Sequence, residues 1–282
     1  MKGPVVIGAL GGSGTRAVAR ICEKLGVYQG KDLNEAHDNL SFTLLFKRPR
    51  WIERATEAEI ETGLTVLEKV LGTGIPLERD ERRFVRRAAF SMCWRGHDHK
   101  RRGVGLWPFL RARRILKALP PRAAETWGFK EPNSHVFLEH LARRFPSLRF
   151  IYVVRHGLDM AYTNNLAQLH NWGRHFGVEV RGTSTPAANL AYWVAATQRA
   201  TELGRELLGD RFLKLDFDRL CRQPELELAS LTSFLGKSDV PASDLTHFIR
   251  PPSSMGRYRQ HDWRSFDPAL IDAVREQGFE VD

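Results

Sequence analysis

A chain of 282 residues, 42% apolar and 27% charged, can bury roughly 75% of its unfolded surface, so its fold needs no disulfide staples. Its three cysteines, Cys22, Cys93 and Cys221, are odd in number and lack metal-ligand spacing, which fits free thiols in a reducing, cytoplasmic setting. The formal charge of +10 favours anionic partners, and the apolar run near the N-terminus ends within about eight residues, too short for a bilayer span and without a signal peptide's cleavage region.

In chain order, Pro4 to Ala9 reads as a buried strand, and Gly14 to Leu25 as a helix with Ala17, Val18, Ile21 and Leu25 on one face, stopped by Gly26. Between them, Gly11, Gly12, Ser13, Gly14, Thr15 and Arg16 form a phosphate cradle. Glycines let the backbone approach an oxyanion, while free N–H groups and the positive end of the helix face it. A nucleotide-triphosphate loop would read G-x-x-x-x-G-K-[ST]; here no lysine lies between Lys2 and Lys24, so the magnesium-nucleotide apparatus is missing.

The loop from Tyr28 to Asn39 carries Asp32, Glu35, His37 and Asp38, a source of acid or base beside the cradle. Helices are expected at 57–71, 81–90 and 107–119. Most of the excess charge falls there: from Glu78 to Lys117, thirteen basic residues face four acidic ones, leaving +9. That run is either a solvated face or a field that concentrates an anion. Thr126 to Lys130 reads as a strand, with Asn133 or Ser134 capping a helix to Phe145. Arg149 to Val154 is another strand, a helix begins near Leu158, Thr185-Pro186 opens a long helix to about Leu208, and Arg211 to Leu215 is a strand. Alternating strands and helices predict an α/β fold: a central parallel sheet between helical layers, of the P-loop nucleotide-binding kind, with ligands at the strands' C-terminal ends. No repeat or linker divides the chain, so residues 1–282 are expected to form one domain with a basic, mostly helical insertion around 57–119.

Three segments join the glycine turn. Trp127 to Pro132 ends a strand with a lysine and a proline, Phe150 to Thr163 places Arg155, Asp159 and Thr163 at equal spacings after a strand, and Ser253 to Arg259 lies near the C-terminus. This set resembles the sulfotransferase superfamily over residues 5 to about 260, closest to its bacterial and carbohydrate-type branch. The resemblance implies transfer of a sulfuryl group from PAPS, 3′-phosphoadenosine 5′-phosphosulfate, to a hydroxyl or amine by in-line displacement, releasing PAP.

It also implies that Ser13 and its neighbours bind the 5′-phosphosulfate, and that Arg155 and Thr163, threonine replacing the usual serine, bind the 3′-phosphate. Asp159 is a cap or arginine partner, because a carboxylate repels phosphate. Phe217 resembles an aromatic beside the adenine, although it equally suits a core; Arg257 and Tyr258, after Gly256, resemble the closing C-terminal loop. Lys130 is the expected cation for the developing charge, with Arg16 as second candidate, since Gly12 replaces the family's lysine or arginine before S-G-T. Glu35 resembles the family's base, with His37 and Asp38 as rivals, and Glu131 is positioned in sequence to orient Lys130.

The acceptor is a small molecule or glycan, anionic or neutral. Trp94, His97, His99, Trp107, His170, Trp172 and His175 are candidates to line its cleft. His97-Asp98-His99 alone lacks the ligands of a metal centre, so no metal is expected. Two other readings remain at this stage: a P-loop-type phosphotransferase, disfavoured by the missing lysine, and a basic nucleic-acid-binding protein, disfavoured by the lack of a zinc, helix-turn-helix or RNA motif.

Overall fold

The computed structural model describes residues 3–95, 105–117, 126–179 and 185–282. Four strands, β1 (Val5–Ala9), β2 (Gly128–Lys130), β3 (Arg149–Val154) and β4 (Phe212–Asp216), form a parallel sheet in the order β2-β1-β3-β4. Val5 lies opposite both Gly128 and Arg149, and Phe150 opposite Phe212. β1 and the last five residues of β3 are buried at every position, because helices cover both faces of the sheet.

The helices are α1 (Thr15–Lys24), α2 (Leu40–Phe46), α3 (Pro49–Ile52), α4 (Glu57–Glu68), α5 (Arg79–Arg95), α6 (Trp107–Lys117) and α7 (Leu138–Arg144), followed by α8 (Gly157–Ala161), α9 (Ala167–Trp172), α10 (Thr185–Leu208), α11 (Phe217–Arg222), α12 (Pro224–Phe234) and α13 (Pro268–Glu276). Successive strand side chains point to opposite faces, and the two resulting cores are separate. Val6, Phe129, Phe150, Tyr152 and Val154 pack with α2, α4, α5, α6, α7 and α10. Val5, Ile7, Ala9, Ile151, Val153 and Leu215 pack with α1, α11 and α12. This is the three-layer α/β architecture the strand–helix alternation predicts. The strand order reverses direction between β1 and β3, which opens a crevice at their C-terminal ends.

Several boundaries differ from expectation. α2 falls within a stretch read without a helix; all seven of its residues are buried, so it has no polar face to produce a periodic signal. Its start is marked by Asn39, whose side chain accepts from the Phe42 N–H at 2.9 Å. The helix expected over 133–145 is a 3₁₀ turn, Pro132–Phe137, followed by α7, and its cap is neither Asn133 nor Ser134. Glu131 caps it, accepting from the Asn133 N–H at 2.9 Å, with Pro132 in the first position. α4 ends in a wide turn, Lys69–Thr73, that stops at Gly74. α5 is longer at both ends than residues 81–90 and runs antiparallel to α6: the Cys93 Sγ lies 3.1 Å from the Gly105 carbonyl, and Arg82 donates to the Leu116 carbonyl at 3.4 Å.

Beneath the sheet's edge, His135 is fully buried, its ring 5.8 Å from those of Tyr152 and Phe176 and its Nδ1 2.9 Å from the Pro132 carbonyl. Burial pushes its pKa down to about 4. The unfolded chain takes up this proton first as pH falls through about 6.5, so the contribution is intact above that value and lost progressively towards pH 4, by about 3 kcal/mol. Urea unfolding at pH 7 and pH 4.5 is expected to show a smaller pH-dependent loss for His135→Gln than for the parent; equal losses would contradict the assignment.

Candidate active site

β1 delivers the chain into the turn at Leu10–Gly14, where Gly12 (φ 97°) and Gly14 (φ 84°) hold left-handed conformations that a side chain would strain. Gly14 precedes α1 without a side-chain cap, so the first N–H groups of this ten-residue helix keep their capacity for an anion. A Cβ on Gly14 would overlap the Phe217 ring, and one on Gly11 would lie 2.8 Å from Gln168 Nε2. Ser13 and Thr15 are buried, whereas Arg16 and Arg20 are exposed.

Beside this turn lies a cleft of about 610 Å³, lined by Gly12, Gly14, Arg16, Ala17, Arg20, Arg155, Phe217, His247, Phe248, Arg250 and Pro252. Among the described residues, four arginines and no carboxylate line it. β3 ends at Val154 and so sets Arg155 into the crevice, 4% exposed, where Nη2 donates to Ser254 Oγ at 3.0 Å and Nη1 to the Gly12 carbonyl at 3.4 Å. Its Nε is buried without a partner among the described residues. Asp159, one turn later, is 3.7 Å from Arg155 and accepts from the N–H groups of Gly256 at 2.7 Å and Tyr258 at 3.1 Å. It is an arginine partner, as its sign suggested, and its capping is long-range rather than local.

Arg257 donates to the carbonyls of Ser254 at 3.3 Å and Tyr162 at 3.1 Å; burial, then the neighbouring Arg155 charge, lower its pKa. Two further residues expected on the cofactor, Tyr258 and Thr163, are not among those lining this cleft. Tyr258 is buried, stacked on His156 with centroids 4.6 Å apart, and its hydroxyl donates to Asp282 at 2.8 Å. It faces a separate polar pocket of about 510 Å³ with His156, Asp216 and Asp218. Thr163 follows α8, its hydroxyl accepts from the Asn165 N–H at 3.1 Å, and it is not part of the cleft wall.

On the opposite side, β2 ends in Lys130, 2% exposed, whose Nζ donates to the Ala36 carbonyl at 2.9 Å and pairs with Asp38. Burial lowers the Lys130 pKa, against the pull of Asp38. Asn34 shapes the loop: its Oδ1 accepts from the N–H groups of Ala36 (2.9 Å) and Asp38 (2.8 Å), and its Nδ2 donates to Asp38 at 2.9 Å. The tight turn puts His37 at φ 61°, half-buried, with Nδ1 lacking a partner among the described residues. Burial lowers the His37 pKa; Glu23 opposes this, and Arg20, Lys130 and Arg16 reinforce it. Glu35 is exposed.

Glu131 does not orient Lys130. Its fully buried carboxylate accepts from Lys47 at 3.2 Å and from Asn133, because the strand's alternation turns it away from its neighbour. Lys47 at the end of α2, and Phe248 and Arg250, carried no motif signal; only their placement marks them. Asp32 pairs with Arg111, and with Arg114 at 2.5 Å, fastening this loop to α6.

Of the acceptor-side candidates, Trp172 is wholly buried in the core, because α9 turns it inward. Trp94 is 69% exposed, and His170 and His175 lie on α9 and the turn after it. Trp107 opens α6 with the Arg111 guanidinium 5.6 Å from its ring. His97, His99 and the His97-Asp98-His99 grouping fall outside the described residues. Among those described, no group of three or more His, Cys, Asp or Glu side chains is placed to hold a metal ion, and no helix is long and apolar enough to cross a membrane.

A glycine turn between β1 and α1, at the C-terminal edge of a parallel sheet and facing clustered arginines, defines an α/β protein of the phosphate-loop kind. The chain belongs to the sulfotransferase family, whose model it matches over residues 4–241. Solved structures similar to it include the sulfotransferase domain of the Synechococcus PCC 7002 olefin synthase, at 15% identity and TM-score 0.46, covering 100% of this chain and 98% of that one. The sulfotransferase domain from the curacin biosynthetic pathway shows 13% identity and TM-score 0.49, covering 100% and 99%. Sulfotransferase STF9 from Mycobacterium avium shows 15% identity and TM-score 0.49, covering 100% and 78%. No curated protein matches the sequence.

Proposed function

We propose that this sulfotransferase uses PAPS as its donor and a hydroxyl or amine of a small molecule or glycan as acceptor. The observation carrying this reading is the cleft that joins the glycine turn to Arg155: four arginines line it, no carboxylate does, and Arg155 retains an unpartnered buried Nε. Such a lining fits a ligand with phosphoryl groups at both ends, and Phe217, although 4% exposed and packed in the core, lies on the cleft wall where an adenine would meet it. Residues 1–282 act in this reading as one catalytic unit, with α4 to α6 as its basic insertion.

When bound, the donor supplies an activated sulfuryl group on a phosphosulfate bridge. The N–H groups at Gly14–Arg16, with the buried hydroxyls of Ser13 and Thr15, hold its 5′ end. Arg155 forms a charge-assisted contact with the 3′-phosphate, and Arg257 behind it adds positive potential. Thr163 enters only through its spacing from Arg155, since it lies outside the cleft wall. Lys130 stabilises negative charge that develops on the bridging oxygen, with Arg16 at the cleft mouth as a second cation.

His37 takes the acceptor's proton in this reading. Its lowered pKa keeps the imidazole neutral at pH 7 with Nδ1 uncommitted, whereas Asp38 is engaged by Lys130 and Glu35 stands in solvent. The acid limb of kcat/KM is therefore expected below the ordinary histidine value of about 6.5, and the alkaline limb below the ordinary lysine value of 10.5. His37→Ala is expected to lower kcat by about 100-fold and remove the acid limb. Loss of that limb in Glu35→Gln instead would transfer the role to Glu35.

Thermal melting with adenosine 3′,5′-bisphosphate, combined with labelled-sulfate transfer to glycans, phenols, lipids and peptides, tests the reading. The midpoint is expected to rise with the bisphosphate, with or without magnesium. A rise only with ATP and magnesium would indicate a phosphotransferase. Salt-dependent retention of random DNA with no nucleotide response would indicate a nucleic-acid-binding protein.

A further inference from the structure

The α5–α6 hairpin projects an apolar surface that neither core uses. Phe90, Trp94, Leu106 and Leu110 are 61, 69, 73 and 60% exposed, and Phe109 is 41% exposed. The antiparallel pairing fixed by Cys93 with Gly105 and Arg82 with Leu116 brings the C-terminal end of α5 beside the N-terminal end of α6. These five side chains therefore share one end of the hairpin, and the Phe90 and Trp94 rings lie 6.2 Å apart. Large apolar side chains grouped in solvent mark an interaction surface.

The same helical stripes turn basic away from that end. On α5, Arg83 and Arg87 precede Phe90 and Trp94 at three- and four-residue spacing; on α6, Arg113 and Lys117 follow Leu106 and Leu110. Arg83, Arg86, Arg87, Arg113 and Lys117 are all exposed. From Arg82 to Trp94 and from Gly105 to Lys117, the sequence has eight basic residues and no acidic one. Among the described residues, the hairpin thus carries apolar side chains at this end with a collar of arginine and lysine.

We propose that this hairpin docks the protein on an anionic lipid bilayer surface, with Phe90, Trp94, Leu106, Phe109 and Leu110 entering the headgroup–acyl boundary and the basic collar meeting lipid phosphates. Aromatic and leucine side chains with flanking cations suit that boundary, where apolar burial and attraction to anionic headgroups act together. A second copy would bring like charges together. A nucleic-acid backbone would engage the collar but leave Leu106 and Leu110 in water. Asp32 fastens α6 to the loop carrying Glu35, His37 and Asp38, so docking would hold that loop near the bilayer.

Flotation of the full chain with vesicles of phosphatidylglycerol and phosphatidylcholine tests the proposal, with phosphatidylcholine vesicles and duplex DNA in parallel. The protein is expected to float with anionic vesicles only, and Trp94→Glu with Leu110→Glu is expected to reduce vesicle affinity at least about tenfold with the melting midpoint unchanged. Arg86→Glu with Arg113→Glu is expected to reduce it as well. Four results would overturn the proposal: no flotation by the parent protein; undiminished flotation of the Trp94/Leu110 variant; a concentration-dependent dimer lost in that variant without vesicle binding; or DNA retention without flotation. The readout needs neither donor nor acceptor, so its failure leaves the transfer reaction untouched.

Discussion

Arg155→Ala is expected to abolish most of the thermal stabilisation that adenosine 3′,5′-bisphosphate confers. A buried guanidinium facing a phosphate contributes about 1.5–3 kcal/mol, so affinity should fall about 10- to 160-fold. The side chain also bonds Ser254 Oγ and the Gly12 carbonyl and lies near Asp159, so its removal leaves a buried carboxylate short of a cation. The apo midpoint will fall too, and the ligand-induced shift, rather than the midpoint itself, is the quantity to compare. Ser254→Ala serves as control, because it removes one structural bond and keeps the guanidinium. Arg155→Lys should recover only part of the affinity, since an ammonium lacks the planar fork. An unchanged shift in Arg155→Ala would place the 3′-phosphate elsewhere and remove the main support for PAPS.

Lys130→Ala is expected to lower kcat about 100- to 1,000-fold, the loss of one preorganised group facing developing charge, with KM and bisphosphate affinity nearly unchanged. Lys130 is buried and holds both Asp38 and the Ala36 carbonyl, so a fall in activity could also follow from a displaced loop. Lys130→Ala with Asp38→Asn separates the causes: it removes the stranded carboxylate and restores loop stability, yet activity should stay low. Recovery of activity in the double variant would make Lys130 a positioning residue for the loop.

β1 and β3 were legible because they are short apolar runs, the first followed by a glycine turn and the second by Arg155, whereas their register is visible only in the structure. The turn at Gly11–Gly14 was equally plain, since glycine density between a strand and an amphipathic helix has few other causes. α2 escaped because burial on every side erases helical periodicity. The true cap, Glu131, escaped because its sequence neighbour Lys130 looked like its partner; only strand alternation separates them. The far wall of the cleft, Phe248 to Pro252, reaches the turn through tertiary packing and has no local signature. The setting of Tyr258, stacked on His156 while Arg257 lies near Arg155, comes from the turn after Gly256 and has no signal in the sequence.

Asp159 joins the segment after β3 to Gly256 and Tyr258, nearly a hundred positions further along. During vectorial synthesis the last strand is finished at Asp216, but the partners of this carboxylate emerge only about forty residues later. A nascent chain paused early in that interval holds the sheet but lacks the wall of the cleft formed by Phe248, Arg250 and Pro252. The contact that ties Gly256 and Tyr258 to Asp159 therefore forms only after all four described strands have been made, whatever the order in which the sheet assembles.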